Sequence, residues 1–336
     1  MRKAAIVILN YNGKNMLKRF LPSVIAGSTY DLVVVDNAST DGSVVYLAEH
    51  HPQIEVVSLT KNGGYSGGYN EGLEKIKGRF EFYLLLNSDV KVSAGWDLAM
   101  VDYLDNNPYV AATQPKIISL ADEGSFDYAG AAGGFLDALG YPYCRGRILH
   151  TLELDYGQYD APLSVDWASG ACFCVRASIF HMHQGFDPVF FAHMEEIDLC
   201  WRLRNRGYGI SANPAVTVYH LGGGTLKRSN PKKTFLNFRN SLFMLYKNLG
   251  KSTFYKLLVF RSVLDLGAMI HFLFTAGGAH SLAVFRAYFA FFSQRHSLSI
   301  QRTSVEETKI TSGNPYVFSI IWAYYGKGRK HFSQLP

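Results

Sequence analysis

The first hundred residues alternate between two hydrophobic rhythms. Apolar runs at residues 4–9 (AAIVIL), 32–35 (LVVV), 54–59 (IEVVSL) and 82–86 (FYLLL) are separated by stretches at 15–26, 43–50, 68–76 and 93–104, where apolar residues recur every three or four positions. The runs suit strands buried on both faces, and the intervening periodicity suits helices that cover them. Repeated βαβ units joined by right-handed crossovers predict an α/β fold, a doubly wound and mostly parallel sheet.

From 118 to 163 the rhythm dissolves into glycine, tyrosine and scattered charge (DYAGAAGGFLDALGYPYCRGR), which predicts a long irregular insertion near a site. Regular structure returns at SVDWASGACFCVRASIF. A helix is expected over 194–205, ended by Gly207, and AVTVYH (215–220) reads as a short strand closing on His220. From 235 to about 293 the pattern is helical, with aromatics interleaved with Lys and Arg. The chain therefore divides into an α/β domain, 1–234, with halves 1–117 and 118–234, and a helical region, 235–336. Between Arg261 and Arg286 the helical text is long enough to cross a bilayer. Asp265, His271 and His280 lie inside that interval, and ionisable groups at depth are costly, so helices lying in the interface or packed on the core are favoured over a crossing.

Composition narrows the class only a little. With 336 residues, 48% of them hydrophobic, the chain can build a large core and is too apolar to be disordered. Its 33 basic and 27 acidic residues leave +6, a bias that does not choose among phosphates, anionic lipid and nucleic acid. The start, MRKAAIVILNYNG, reads as a first strand and not as an export signal. Cys144, Cys172, Cys174 and Cys200 form no CxxC pair and are expected to be reduced, buried thiols.

Candidate chemistry sits where the strands end. In an open parallel sheet ligands lie beyond the carboxyl ends of the strands, and three runs end in polar residues: LNYN (9–12), DNASTDGS (36–43) and NSD (87–89). Asp36 could accept from a base N–H or a ribose hydroxyl, or merely close a turn. KNGGYSGGYNEG (61–72) lacks both the GxGxxG spacing and the Lys–Ser/Thr ending of a P-loop; it is either a diphosphate cradle at a helix N-terminus or a flexible loop. Asp89, at a strand end beside that loop, is a hard oxygen ligand suited to magnesium or manganese, or simply the point where a strand reaches water. In GFDPVFFAHMEEIDLCWRLRNRGY (185–208), Glu195, Glu196 and Asp198 stand among large apolar residues. They are either a solvated, salt-bridged helix or carboxyls whose raised pKa suits a general base. His220 precedes a glycine run and is either structural or a metal ligand.

Taken in order, VILNYNG, VVVDNASTDGS, KNGGYSGGYNEG, LLLNSDV, SGACFCVRASIF and GFDPVFFAHMEEIDLCWRLRNRGY resemble glycosyltransferase family 2, and within it the rhamnosyltransferase-like branch, over about residues 4–250. The resemblance implies a GT-A fold, an inverting reaction, a UDP- or dTDP-linked sugar donor such as dTDP-rhamnose, and a divalent cation, Mn2+ or Mg2+. It makes 1–117 the nucleotide-sugar half and 118–234 the acceptor half. By position it assigns Asp36 and Tyr11 to the base, Asn62, Gly68 and Asn70 to the donor loop, and Asn87, Ser88 and Asp89 to the DXD-type motif. Asp89 and His220 would hold the metal, and Glu196 would be the catalytic base. Two positions depart from the family pattern: Asn87 replaces the first acid of DXD, and Glu196 stands where Asp is usual, so Glu195 and Asp198 stay beside it as candidates. Trp167 and Gly170 are acceptor-side candidates. The processive members' QxxRW signature is absent, which favours addition of one sugar or a few to a glycan or lipid-linked acceptor.

This reading expects a cytoplasmic enzyme, peripheral on the inner face of the cytoplasmic membrane, binding no nucleic acid and with oligomer formation left open. Three rivals stand beside it, one of them RNA binding by the basic tail, which needs no donor site and should show a steep salt dependence. A sugar-nucleotide nucleotidyltransferase would want a glycine-rich basic loop after the first strand, where this chain has NYNGKN; a non-catalytic nucleotide-sugar-binding scaffold would need none of the acids.

Overall fold

The computed structural model describes residues 1–122, 124–222, 230–301 and 317–336; Gly223 and Gly224 of the glycine run after His220 lie outside them. The alternation of the first hundred residues is realised as β1 (Arg2–Asn10), α1 (Lys14–Gly27), β2 (Asp31–Asp36), α2 (Ser43–His50), β3 (Glu55–Ser58), α3 (Gly64–Lys75) and β4 (Phe80–Asn87). The four strands lie side by side in the order β3-β2-β1-β4, all parallel. Successive residues of β1 face opposite ways: Ala5 and Val7 join one buried cluster, whereas Ala4, Ile6 and Ile8 join another. A strand clothed on both faces has no use for a polar residue until it ends, which is why its sequence is unbroken apolar text.

Helix α3 lies unusually close to the sheet. A Cβ on Gly72 would stand 2.5 Å from Val35, and one on Gly68 would stand 2.8 Å from Leu9. Part of the glycine richness of 61–72 is therefore a packing requirement, whatever else the loop does.

The second half completes the sheet. After β5 (Val90–Val92), α4 (Trp96–Asp105) and β6 (Val110–Ser119), the insertion predicted to be irregular proves to contain a small antiparallel sheet of β7 (Gly134–Leu136), β8 (Pro142–Cys144), β9 (Arg147–Ile148) and β10 (Thr151–Leu152). Strands of two or three residues are too short to show a period, so the sequence could not announce them. Following β11 (Leu163–Ser164), strand β12 (Cys172–Arg176) inserts antiparallel between β4 and β6. Next come α5 (Ala177–Met182), α6 (Glu195–Arg204) and β13 (Gly209–His220). At 12 residues, β13 is twice the predicted strand, because it begins at Gly209 and runs parallel to β6 through two register shifts.

Helices α7 (Pro231–Asn248), α8 (Lys251–Thr275) and α9 (Gly278–Gln301) follow. Leu242, Phe243, Phe254 and Phe291 belong to the same buried cluster as Ala5 and Val7, so these helices share the sheet's core. Beyond 316 the chain is mostly not helical as expected. It lies on the small sheet, where Ile320 N–H donates to Asp137 Oδ2 at 2.7 Å and the Phe332 ring packs 5.4 Å from that of Phe135.

Candidate functional site

The register of the parallel strands gathers the polar ends into one place. Asn10 pairs with Asp36 across β1 and β2, and Leu9 pairs with Asn87 across β1 and β4. Asn10 Nδ2 donates to Asp36 Oδ1 at 3.0 Å, and Ser39 N–H donates to Asp36 Oδ2 at 3.0 Å. Asp36 is thus buried and closes its turn, each oxygen already accepting one hydrogen bond and keeping a second lone pair. Asp41 is the residue that ties down the next helix, accepting from Ser43 N–H at 3.0 Å and from Lys14 N–H at 2.8 Å. Tyr11 stands exposed on the rim, and Ser88 is half-buried with its hydroxyl toward Gly13.

The glycine-rich loop is not an open anion cradle. Asn37 Oδ1 accepts from Gly63 N–H, Asn62 Oδ1 accepts from Gly64 N–H and from Asn37 Nδ2, and the Phe191 carbonyl accepts from both Tyr65 and Ser66 N–H, at 2.6 and 3.3 Å. With those donors spent, the N-terminus of α3 holds a piece of its own chain where a phosphate had been expected. Asn62 fastens the loop, Gly68 packs, and Asn70 is also spent: its amide pairs both ways with the Phe186 backbone, Nδ2 to O at 2.6 Å and Oδ1 from N–H at 3.0 Å. Gly64, at φ +71°, must be glycine, because a Cβ there would stand 2.3 Å from the Phe191 oxygen.

That latch leads directly to the acids. Phe191, His193 and Met194 all have positive φ, 63°, 72° and 72°, an unusual run of strained non-glycine backbone just before α6. Glu195, Glu196 and Asp198 fall in the first turn of α6, but the structure separates them. Asp198 is fully buried and paired with Arg202 Nε at 2.8 Å, Lys247 Nζ at 3.2 Å and Asn248 Nδ2 at 2.8 Å. Burial alone would raise its pKa, but Lys247 and Arg202 hold it below the usual range. It clamps α6 to α7, with both oxygens engaged in the buried pairing.

Glu195 is deeply buried, whereas Glu196 is half-buried. Each has an Oε2 with no partner among the described residues. Burial raises both carboxyls, and for Glu195 the adjacent Glu196 charge adds to it. Glu196 rises to about 7, moderated by hydrogen bonds from its own N–H and those of Gly170 and Ile197. A half-buried carboxyl poised near neutrality with one uncommitted oxygen has the properties of a general base. Gly170 connects it to the strand ends: its carbonyl accepts from Tyr65 OH at 2.8 Å, and the next carbonyl, Ala171, accepts from Asn87 N–H at 3.0 Å. Trp167 is buried against Gly134, with Nε1 donating to the Phe135 carbonyl at 3.0 Å.

Asp89 and His220 are brought together by the antiparallel pairing of β5 with β13. His220 Nε2 lies 3.2 Å from Asp89 Oδ1 and its Nδ1 lies 2.9 Å from Asp127 Oδ1. Burial alone would lower the imidazole's pKa, but the two carboxylates more than offset it and raise it to about 10. One carboxylate oxygen beside one imidazole nitrogen is a donor set that manganese accepts and that leaves room for phosphate oxygens. Among the described residues no three acidic, His or Cys side chains converge as a closed metal cage, so any cation here would complete its shell from elsewhere.

The glycosyl transferase family 2 profile matches residues 5–144, the stretch that carries the strand-end residues. The chain is 26% identical over 233 residues to an N-acetylglucosaminyl-diphospho-decaprenol L-rhamnosyltransferase of Mycobacterium tuberculosis, covering 64% of this chain and 75% of the relative. It is 23% identical to rhamnosyltransferase WbbL of Escherichia coli, covering 64% and 82%. GalNAc-T7, crystallised with UDP, GalNAc and Mn2+, superimposes with a TM-score of 0.59 at 16% identity over 89% of this chain and 57% of that one. A mannosyltransferase of Pyrobaculum calidifontis with GDP-Man and Mn2+ gives 0.52 at 17% identity over 89% and 81%. These structures establish the GT-A fold.

Two parts of the candidate site escaped the sequence. Asp127 lies in the patternless insertion, 93 residues from the histidine it touches, with no motif to mark it. The Phe191 carbonyl is backbone, and only the unusual glycine count at 63–64 hinted that something would approach closely there.

Proposed function

We propose that this chain transfers a sugar, with inversion, from a UDP- or dTDP-linked donor to a hydroxyl of a glycan or lipid-linked saccharide, in the manner of the rhamnosyltransferases it resembles. The observation that carries the reading is Glu196: a carboxyl with an uncommitted oxygen, poised near neutrality and tied through Gly170 and Ala171 to the end of β4. Glu196 takes the proton from the acceptor hydroxyl as that oxygen attacks the anomeric carbon, and the nucleoside diphosphate leaves from the opposite face, so configuration inverts in one displacement. Asp89 and His220 would hold a divalent cation, Mn2+ or Mg2+, whose positive charge stabilises the departing diphosphate. Asp36 uses its spare lone pairs, with Tyr11 on the rim beside it, for the pyrimidine nucleoside. Glu195, more deeply buried, is pushed up by burial and by the Glu196 charge.

The C-terminal helices support a place at a membrane surface. Helix α8 is long and apolar enough to cross a membrane, yet only 22% of its most apolar window is buried, and Val259, Val263, Leu266 and Ile270 form an exposed stripe along it. Its one acidic residue, Asp265, is buried, accepting from Tyr141 OH and Tyr288 OH at 2.7 Å each, with Arg261 stacked 3.6 Å over the Tyr141 ring. Asp265 is also the only acid among residues 249–301 and 317–336, whereas Lys251, Lys256, Arg286, Arg295, Lys327 and Lys330 are exposed. An apolar stripe among cations, on a helix fixed to the core by hydrogen bonds from Tyr141 to Asp265 and from Arg261 to Leu139 and Ser241, fits a helix lying in an anionic lipid interface, where lipid-linked acceptors reside.

The test is calorimetric binding of UDP, dTDP and GDP with and without Mn2+, for the wild type, Asp89→Ala and Glu196→Gln. One pyrimidine diphosphate should bind with metal, fail with Asp89→Ala and bind undiminished to Glu196→Gln while transfer is lost. No nucleotide binding under any condition overturns the proposal.

A further inference from the structure

We propose that Asp127 is a positioning residue for the cation site: it fixes the His220 ring so that Nε2, and not Nδ1, is presented beside Asp89. The inference rests on the reading of Asp89 and His220 as a cation-binding pair, and goes beyond it by adding a residue from a different part of the chain.

The geometry is specific. His220 ends β13 with its two ring nitrogens committed in opposite directions, Nε2 toward Asp89 Oδ1 at 3.2 Å and Nδ1 toward Asp127 Oδ1 at 2.9 Å. An imidazole free to turn could present either nitrogen; this one cannot turn without stranding a buried carboxylate. Asp127 is itself held from two sides, its Oδ1 accepting from Ala129 N–H at 2.7 Å and its own N–H donating to the Ile117 carbonyl at 3.0 Å. All three side chains are buried. With Nδ1–H given to Asp127, the lone pair for a cation is on Nε2, and the carboxylate partner makes that nitrogen a better donor.

Asp127 is not a third ligand. It lies at the Nδ1 end of the ring and Asp89 at the Nε2 end, so a cation seated between Asp89 and Nε2 is screened from Asp127 by the imidazole. Its role is orientation, the part played by carboxylates behind metal-bound histidines generally.

The competing account is a buried Asp–His–Asp link that only braces β13 against the insertion, and cation affinity separates the two. Mn2+ is titrated into the full chain with UDP or dTDP present, following the loss of the free-ion electron paramagnetic resonance signal, for the wild type, Asp127→Asn, Asp127→Glu, Asp127→Ser and Asp89→Ala. Melting temperatures in chelator report the fold. Asp127→Asn should raise the Mn2+ Kd about 10- to 100-fold and weaken the histidine nitrogen modulation in the bound-ion spectrum, with Asp127→Glu recovering part of both. If Asp127→Asn binds Mn2+ within threefold of the wild type, positioning is overturned even where the melting temperature falls. Should Asp127→Asn not fold, Asp127→Ser decides: a Kd raised tenfold or more at a melting temperature that reports a folded chain supports the role, and a Kd within threefold of the wild type overturns it. If the wild type binds no Mn2+, or Asp89→Ala binds it equally well, the metal reading itself fails and this inference falls with it.

Discussion

Strand β4 and helix α8 are both written in apolar residues, and the molecule treats them in opposite ways. The residues of β4 from Phe82 to Leu86 are buried, clothed by layers on both faces. Helix α8 buries Phe254, Leu257, Arg261 and Asp265 but leaves Val259, Val263 and Leu266 exposed. Between Phe82 and Leu86 β4 carries no charged residue, and polar residues return where the strand ends. In the helix, the charged pair is inward and the apolar face is outward, the reverse of an ordinary surface helix. Apolar text therefore marks what avoids water, and the surrounding layers determine whether protein or some other apolar phase provides the cover.

The sharpest test of the strand-end half is Glu196→Gln. Loss of a general base should reduce transfer by about 10²- to 10⁴-fold, with donor affinity unchanged in a binding titration; transfer at near wild-type rate would move the base elsewhere and leave the two regions without a functional contrast. Next is the joint between them. Asp198→Ala removes the carboxylate that Lys247 and Arg202 share, leaving Lys247 with Asp187 and Arg202 with the His183 and Gly185 carbonyls, which should cost about 1–3 kcal/mol in urea unfolding. A loss below about 1 kcal/mol would mean that α6 and α7 are held by apolar packing alone.

The pH dependence should follow from the same carboxyl. Because Glu196 is raised from 4.5 to about 7, its protonated, inert form prevails in mild acid, and kcat/KM should climb as pH rises from 5 to 8 and then level. The sign for stability is opposite: the folded state holds this proton more tightly than the unfolded state, so its contribution is full below about 4.5 and lost as pH rises through 7. Glu196→Gln should therefore gain stability over the wild type at pH 8, by about 1–3 kcal/mol, with a smaller difference at pH 5. An equal difference at both pH values would show that the carboxyl is not raised.

The helical half carries the smallest expected effect. Val263→Glu on α8 with Phe289→Glu on α9 should weaken cosedimentation with anionic vesicles about tenfold or more, since each places a charge where apolar area would be buried. Lys327→Ala with Lys330→Ala should weaken it severalfold, at about 1 kcal/mol per cation near the surface. Both pairs are exposed, so melting temperatures should barely move. Vesicle binding unchanged in both would leave the stripe to some other cover.

How much was legible followed the range of the interactions. The four parallel strands and their helices were readable because each is stabilised by its own periodicity, and Asp36 and Asn87–Asp89 were readable because a buried strand can end in polar residues only at an edge. Asn70 and Trp167 were misjudged for the opposite reason: their types suggested recognition, but Asn70 is taken by Phe186 116 residues away and Trp167 by Phe135. The small sheet of the insertion was unreadable because none of its strands is long enough to have a period.

By itself, then, the sequence determined the α/β alternation, the polar strand ends and the acid-rich start of α6, all properties of neighbours along the chain. Only the tertiary structure decided that Asp198 is a clamp while Glu196 keeps an oxygen uncommitted, that the glycine loop holds the Phe191 carbonyl, and that Asp127 reaches His220. Each depends on which distant group arrives first at a hydrogen-bonding atom, and a buried donor or acceptor takes the partner that packing brings to it.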